Sequence, residues 1–268
     1  MTKLLQNMNW QEAREAFKGT KVAIIPTGST EQHGPHLPIG TDFLIADYIS
    51  KKVAGKANAI VTPVIPVGFA VYHTDFEGSL SVPTDILSSY YLSIADSLIK
   101  YGITHILFIN GHGGNGAALN DVCRNLRDRG ITAAYIQWWD VAGGINHAWS
   151  TLGHGDIVET SIMLKIAPES VDMSKAQNPV NKKLTDNVQI LDGSNCKYKD
   201  GVVRFYLRMK DTTDNGGIYE YGHSAHADYN LSVKDATAEN GEAILNCVVD
   251  YIVDFIDEFN KITFKPEM

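Results

Sequence analysis

The chain has 268 residues, a formal net charge of −8 and 44% hydrophobic residues. This length allows a sizeable core, and we expect one domain over residues 1–268. Acidic and basic residues are mixed and no Lys/Arg block occurs, which argues against nucleic acid or an anionic membrane as a partner. The negative charge weakly favours a neutral or cationic substrate.

The cysteines and the first residues bear on location. Cys123, Cys196 and Cys247 are far apart and form no CxxC pair, which is typical of a protein in a reducing cytosol. The N-terminal residues lack the apolar core of a signal peptide, and no apolar run of about eighteen residues predicts a transmembrane helix. We therefore predict a cytoplasmic protein.

Strand-like and helix-like segments alternate through the first half of the chain. Apolar runs predict strands, and apolar residues at helical spacing predict helices. The predicted strands are 22–25, 59–65, 105–109 and 132–136, and the predicted helices are 41–55, 85–102 and 117–129. This alternation predicts an α/β fold with a parallel sheet covered by helices on both faces.

The pattern weakens in the second half. Helices are predicted over 156–166 and 234–259, and residues 170–230 are rich in Asn, Asp, Gly and Lys with one strand-like run over 202–209. Within that region we expect residues 214–228 to shape the pocket or an oligomer contact. This segment contains four aromatic or imidazole side chains to which we assign no role: Tyr219, Tyr221, His223 and His226.

The first cluster of chemically active side chains follows the first predicted strand. Glu31, His33, His36 and Asp42 fall within twelve residues that also contain two prolines and two glycines. Carboxylates and imidazoles are the ligand types that Zn²⁺, Mn²⁺ and related ions take. The alternative interpretation, a polar loop with incidental histidines, leaves all four side chains unexplained.

A second cluster, Asn110-Gly-His112-Gly113-Gly-Asn115, directly follows another predicted strand. Ligands of open parallel sheets bind at the carboxyl ends of strands, so this loop and the first cluster can converge, with His112 as a further ligand. The alternative is a Gly-rich turn that holds a phosphate at a helix N-terminus. The loop alone does not decide between them, although the absence of Gly-Lys-Ser/Thr excludes a P-loop.

A third cluster places His154 just before a predicted helix and Glu159 in its first half. Glu159 would complete a metal site, and His154 would move protons. Taken alone, the segment is better explained by Asp156 and Glu159 favouring the helix N-terminus. The functional interpretation gains weight because the other two clusters need a carboxylate and an acid–base group.

Together the clusters supply two histidines and three carboxylates, a set that suits two divalent ions with one shared carboxylate. The expected ligands are Glu31, His33, Asp42, His112 and Glu159, with Asp42 as the bridge. Two such ions lower the pKa of a water molecule held between them and polarise a carbonyl, so the expected chemistry is hydrolysis, most simply of an amide.

These motifs resemble the creatininase (creatinine amidohydrolase) family. The matching segments are Thr27 to Asp42, His73 to Ser81, Asn110 to Asn115 and Glu159 to Ser161, in the family's order. The resemblance implies a three-layer α/β/α fold with a mostly parallel sheet, two divalent metal ions (Zn, Mn or Fe) and a homo-oligomer, often a hexamer.

The resemblance also implies roles for individual residues. Glu31, Asp42 and His112 would hold one ion. His33, Asp42 and Glu159 would hold the other. His154 would carry a proton from the water to the leaving nitrogen. Four further residues would lie in the second shell or bind substrate: His36, His73, Gly113 and Trp139.

Two departures weaken creatinine as the substrate. Creatininase itself carries a glutamate where this chain has Gly114, and many members have a serine near Ala70. Trp138, Trp139 and Trp149 could stack on a flat ring, although packing in the core or a subunit interface is the favoured explanation.

The leading hypothesis is a dinuclear metal-dependent hydrolase of a small cyclic amide or a formamide. Other family activities are alternatives, namely a formamidopyrimidine deformylase, a peptidase that trims a redox-cofactor precursor, and a hydrolase of an oxidised inositol ring that breaks a carbon–carbon bond.

Two hypotheses lie outside the class of hydrolases. A binding protein without activity would not need the complete ligand set. A nucleotide-binding protein that uses the Asn110 loop would leave Glu31 to Asp42 unexplained.

Overall fold

The computed structural model describes residues 3–150, 153–178, 180–191, 193–219 and 231–266. Its centre is a four-stranded sheet in the order β2-β1-β3-β4, and every neighbouring pair is parallel. The strands are β1 (Val22–Thr27), β2 (Ile60–Val61), β3 (His105–Asn110) and β4 (Thr132–Gln137).

Helices cover both faces of this sheet. They are α1 (Trp10–Lys18), α2 (Thr41–Ala54), α3 (Thr84–Ile99), α4 (Gly116–Asp128), α5 (Trp138–Ile145), α6 (Ile157–Ile166), α7 (Met209–Thr212) and α8 (Ala238–Phe259). The predicted helices after residues 41, 85, 117, 156 and 234 are all present, with ends shifted by a few residues.

The alternation of side chains along β1 separates two cores. Val22 and Ile24 pack in a cluster with α2, α5, α6 and α8, whereas Ala23 and Ile25 pack in a second cluster with α3 and α4. All four side chains are fully buried. Burial of one such isoleucine contributes roughly 1.5–3 kcal/mol. The predicted α/β class and its helix–sheet–helix layers are therefore confirmed.

The strand predicted over 59–65 was too long. Only Ile60–Val61 pair as a strand, and Ile65 returns to the sheet through an isolated bridge to Thr27. Pro63 lies between these two contacts, and its fixed φ and missing backbone N–H interrupt the strand there.

Two small antiparallel sheets lie outside the parallel sheet, where the sequence predicted a single strand over 202–209. One contains β6 (Lys183–Thr185), β7 (Val188–Ile190), β8 (Asn195–Tyr198) and β9 (Gly201–Arg204). The other pairs β5 (Gly153–His154) with β10 (Ile218–Tyr219). The prediction was wrong because strands of two to four residues carry too little periodicity to recognise.

Among the described residues, no helix combines the length and the apolar character needed to cross a bilayer.

Candidate metal centre

The five predicted ligands converge at the carboxyl edge of the parallel sheet. Glu31 and His33 lie in the loop after β1, Asp42 lies in the first turn of α2, His112 follows β3, and Glu159 lies in the first turn of α6. All five are buried. Their role as ligands stays a prediction, but the chain does bring them together as expected from strands that end at one edge.

Close approach of two backbones places His112 beside Asp42. A Cβ on Gly111 would lie 2.3 Å from the Asp42 carbonyl oxygen, so only glycine allows β3 to end against the start of α2. The His112 backbone N–H donates to Asn110 Oδ1 at 3.1 Å, which fixes the turn after the strand.

Asp42 lies between the two halves of the cluster. Its Oδ1 is 2.8 Å from His33 Nε2, and its Oδ2 is 3.1 Å from His112 Nδ1. Glu31 Oε2 is 3.2 Å from the same His112 nitrogen, and Glu159 Oε1 is 3.8 Å from His33 Nε2. The two carboxylate oxygens of Asp42 therefore face two different histidines, each with its own second carboxylate.

The far nitrogen of each histidine is held by a backbone carbonyl. His33 Nδ1 donates to the Glu31 carbonyl oxygen at 3.0 Å, and His112 Nε2 donates to the Phe69 carbonyl oxygen at 2.8 Å. These hydrogen bonds assign the tautomers and direct the remaining nitrogen of each ring toward the carboxylates. Metal-binding histidines are oriented in this way.

The donor atoms fit divalent ions. Three groups of ligand atoms lie close enough to share an ion: Glu31 with Asp42 and His112, His33 with His154 and Glu159, and Glu31 with His73 and His154. Within the described part of the chain, no hydrogen bond satisfies the buried oxygens Glu31 Oε2 and Asp42 Oδ2. Buried carboxylate oxygens normally have a partner, and a bound cation would supply it.

The segment that carries His154 and Glu159 is built around Asp156. Its Oδ1 caps α6 by accepting from the backbone N–H groups of Val158 at 2.8 Å and Glu159 at 3.1 Å. Glu159 Oε2 accepts from Gly155 N–H at 2.7 Å, which leaves Oε1 directed toward His33. Capping of the helix N-terminus therefore accounts for the presence of Asp156, whereas the Glu159 side chain points into the cluster.

His154 lies over the cluster. Its ring centroid is 4.2 Å from that of His33 and 4.4 Å from that of His73. Nε2 donates to the Gln32 carbonyl oxygen in a short hydrogen bond, and Nδ1 lies 3.7 Å from Glu31 Oε1. The unprotonated nitrogen of this tautomer therefore faces the carboxylates, a position that suits either a ligand or a base.

Burial and charge set the protonation of these groups in the metal-free protein. Burial lowers the pKa of His33, but the carboxylates of Asp42 and Glu159 outweigh burial and raise it from 6.5 to about 10. Burial raises the pKa of Glu159 from 4.5 to about 8. Burial lowers the pKa of both His73 and His154 well below 6.5, so these two rings are neutral.

Two side chains near Glu31 complete the surroundings. His73 Nε2 lies 3.2 Å from Glu31 Oε1, and the amide nitrogen of Gln32 lies 3.0 Å from His73 Nδ1. His73 was predicted to lie in the second shell or to bind substrate, and this role stays a prediction, because its ring also groups with Glu31 and His154 as possible metal ligands. Gln32 was missed, although it stands between two predicted ligands in the sequence, because an amide does not titrate and offers no metal-binding signal.

A cavity of about 510 Å³ opens over the cluster. Gly113 and Trp139 line it as predicted, together with Phe69, Tyr72 and Gln137. Its volume falls within the range of roughly 300–1,000 Å³ that is usual for small-molecule sites.

Other predicted residues lie outside this cavity. His36 is buried and its Nε2 is 2.9 Å from Thr160 Oγ1, so it touches the residue after Glu159 and not the ligands. Trp138 is only 1% exposed and packs in the core, and Trp149 donates to Asn240 at 3.2 Å. For Trp138 and Trp149, packing is the interpretation that the structure favours.

Part of the region 170–230 also reaches the site. Gly193, Ser194 and Met209 line the cavity, and the Gly216 carbonyl accepts from the Gln32 side chain at 2.9 Å. Gly216 lies within residues 214–228, which were expected to shape the pocket, whereas no sequence signal indicated Gly193, Ser194 and Met209. Tyr221, His223 and His226 lie outside the described residues.

Comparison with known proteins decides the family. A sequence profile of the family Creatininase, described as creatinine amidohydrolase, matches residues 6–256. The chain belongs to the creatininase family. Members of this family are hydrolases, which agrees with the predicted reaction class.

Relatives within the creatininase family differ in activity. A mycofactocin precursor peptide peptidase from Mycobacterium ulcerans is 38% identical over 157 residues, which cover 55% of this chain and 59% of the peptidase. The match thus spans less than two thirds of that relative. A creatinine amidohydrolase from Pseudomonas putida is 27% identical over 191 residues, which cover 63% of this chain and 73% of that enzyme.

A solved structure named Creatininase Mn has the same fold. It superposes with a TM-score of 0.74 and 22% identity, over 96% of this chain and 98% of that chain. At this identity the likeness shows the fold alone.

Gly114 has no room for a side chain. A Cβ at this position would lie 2.2 Å from the Phe69 carbonyl oxygen and 2.4 Å from His112 Nε2. A glutamate therefore cannot replace Gly114 here unless the backbone around Phe69 moves.

Proposed function

We propose that this protein hydrolyses an amide C–N bond with two divalent metal ions. The observation that carries the proposal is the position of Asp42, whose two oxygens face His33 at 2.8 Å and His112 at 3.1 Å. A carboxylate shared in this way suits a pair of ions. Glu31, Asp42 and His112 would hold one ion, and His33, Asp42 and Glu159 would hold the other.

When bound, such ions would supply a water of lowered pKa and a polarised carbonyl. The protein's own contribution is to hold the ligands and to exclude bulk water, since all five side chains are buried. The ions would offset the charge of the three carboxylates.

His154 is the proposed proton carrier. Its Nδ1 lies on the side of Glu31, and its Nε2 is committed to the Gln32 carbonyl. Burial lowers the pKa of His154, which keeps the ring neutral and able to accept a proton at Nδ1. The same nitrogen would then give the proton to the leaving amine.

The proposed substrates are small cyclic amides and formamides. Trp139 and Tyr72 both line the cavity and provide apolar surface beside the ligands. Creatinine belongs to this class, although Gly114 replaces the glutamate of creatininase itself.

A peptide end is a second candidate. Two observations favour it, the 38% identity to a mycofactocin precursor peptide peptidase and a cavity of about 510 Å³, which exceeds the needs of a single small ring.

The test is hydrolysis by protein loaded with Zn²⁺ or Mn²⁺, with creatinine, cyclic amides, formamides and short peptides as substrates. We expect turnover that EDTA abolishes and added metal restores. His154→Ala should keep the metal content and reduce kcat about a hundredfold or more, the usual scale for a lost acid–base group. The exposed His147→Ala serves as the matched control. Full activity after complete removal of metal would overturn the proposal.

A further inference from the structure

The sheet formed by β6 to β9 carries positive charge in an acidic protein. Residues 182–210 contain seven Lys/Arg and three Asp, a net charge of +4. The whole chain has a net charge of −8, so the residues outside 182–210 carry a net charge of −12. The basic residues are scattered in the sequence, and only the strand register gathers them.

Cross-strand pairing places several of these residues on one face. Lys183 pairs with Gln189, Gln189 with Lys197, and Lys197 with Val202. Directly paired residues share a face of a sheet, and Arg204 shares the face of Val202 because it lies two residues further along β9. We call these five residues the cationic face: Lys183, Gln189, Lys197, Val202 and Arg204.

The opposite face of the sheet is the buried one. Ile190 and Cys196 pack there in a small apolar cluster with Leu207. The cationic face is therefore the outer face, and its members Lys183, Lys197 and Arg204 are exposed.

The basic side chains of the cationic face form no ion pair among the described residues, although Asp186 lines the same surface depression as Gln189 and Lys197. In the described part of the chain, no Asp or Glu lies within salt-bridge distance of Lys183, Lys197 or Arg204. Val202 adds an apolar side chain that is 62% exposed. A surface of like charge with an exposed apolar centre fits a partner that combines acidic and apolar residues.

The edge of the sheet is also open to a partner. Within the described ranges β9 is the last strand, and all of Gly201–Arg204 is exposed. An exposed edge strand offers backbone groups that an extended peptide can pair with.

One end of the cationic face adjoins the cavity. Arg204 pairs with Asn195, and the neighbouring residues Gly193 and Ser194 line the cavity. The Phe205 backbone N–H donates to the Ser194 carbonyl at 2.9 Å, which holds this end of the sheet against the cavity wall. A chain that lies along the face would therefore reach the wall of the cavity at the Arg204 end.

We propose that the cationic face docks an acidic stretch of a peptide substrate and directs its scissile amide into the cavity. This inference rests on the peptide form of the proposed function. It also revises the expectation from net charge, because the local charge beside the cavity is opposite to that of the whole chain.

The test measures binding to the metal-free protein, which separates docking from hydrolysis. Two fluorescent peptides of equal length are compared, one with a run of glutamates and one with glutamines at those positions. We expect the glutamate peptide to bind about tenfold more tightly at low salt, with the difference reduced at high salt.

Charge-reversal variants test whether the cationic face causes the preference for the glutamate peptide. Lys197→Glu/Arg204→Glu should remove the preference for the glutamate peptide. The control Lys21→Glu/Lys100→Glu changes the net charge equally at exposed positions of the parallel layer and should keep the preference. Thermal unfolding of both variants verifies that they fold, and Lys183→Glu gives an independent measurement on another strand.

The outcomes separate the two hypotheses. Equal binding of both peptides, or a preference that survives both face variants, overturns the docking proposal. If the unsubstituted protein shows no preference and the face variants change its sedimentation coefficient, the docking proposal is overturned in favour of a second copy as the partner. If the preference is present but no metal-loaded protein cleaves any amide, docking stands and the proposed function fails.

Discussion

The side-chain nitrogen of Gln32 lies 3.0 Å from Nδ1 of His73. Two backbone groups fix which end of the amide is the nitrogen, since Gly34 N–H donates to Oε1 at 3.1 Å and Nε2 donates to the Gly216 carbonyl at 2.9 Å. His73 Nδ1 must therefore accept, so its proton is on Nε2, which lies 3.2 Å from Glu31 Oε1. Glu31 thus has one oxygen held by His73 and the other free for a cation.

Gln32→Glu tests this arrangement. The substitution keeps the shape but replaces the donor with an acceptor that faces the Gly216 carbonyl and His73 Nδ1, so Glu31 loses its orientation. We expect the metal dissociation constant to rise about 10–100-fold, the usual effect of losing an outer-shell partner. Isothermal titration with Zn²⁺ measures it, and Gln11→Glu on the exposed face of α1 is the control. Unchanged affinity would show that Gln32 does not position Glu31.

Asp42→Ala tests the shared carboxylate. Because Asp42 faces both histidines, we expect the variant to lose most of both metal equivalents and all activity, as measured by elemental analysis after gel filtration. Asp47→Ala, on the same helix but paired with Lys51 at the surface, should keep both. Two fully occupied sites in the Asp42 variant would contradict the shared role.

Metal binding should release protons. At about pH 7 the metal-free protein carries protons on both His33, whose pKa is raised to about 10, and Glu159, whose pKa is raised to about 8. Metal ligands must be deprotonated, so affinity should rise with pH, and fewer protons should be released at about pH 9 because Glu159 is then already ionised. Calorimetry in buffers of different ionisation enthalpy counts these protons. Binding without proton release at about pH 7 would be inconsistent with these raised pKa values.

Gly113 and Gly114 are neighbours in the loop after Asn110, and substitutions at these two positions serve as test and control. Gly114→Ala introduces a Cβ 2.2 Å from the Phe69 carbonyl, whereas a Cβ on Gly113 meets no atom within 4 Å. We expect Gly114→Ala to lower the free energy of unfolding by about 1–3 kcal/mol, as overpacking does, and Gly113→Ala to change it by less than about 1 kcal/mol. Chemical denaturation of the metal-free variants compares them. Equal stability would mean that the Phe69 segment can move aside.

The sequence by itself determined the class of fold and the chemistry of the site. Apolar runs and helical spacing are local signals, so they located β1, β3, β4 and most helices. Glu31, His33 and Asp42 are close in the sequence, and their residue types alone indicate a metal. The same signals failed over 59–65 and over 183–204, where proline breaks or very short strands leave no period to detect.

Only the tertiary structure decided which atoms meet. The division of the Asp42 oxygens between His33 and His112, and the contact of Gln32 with Gly216, join residues that can lie more than a hundred positions apart. The cationic face likewise depends on the register of four strands. Such contacts follow from the packing of whole elements, and no local run of residues encodes them.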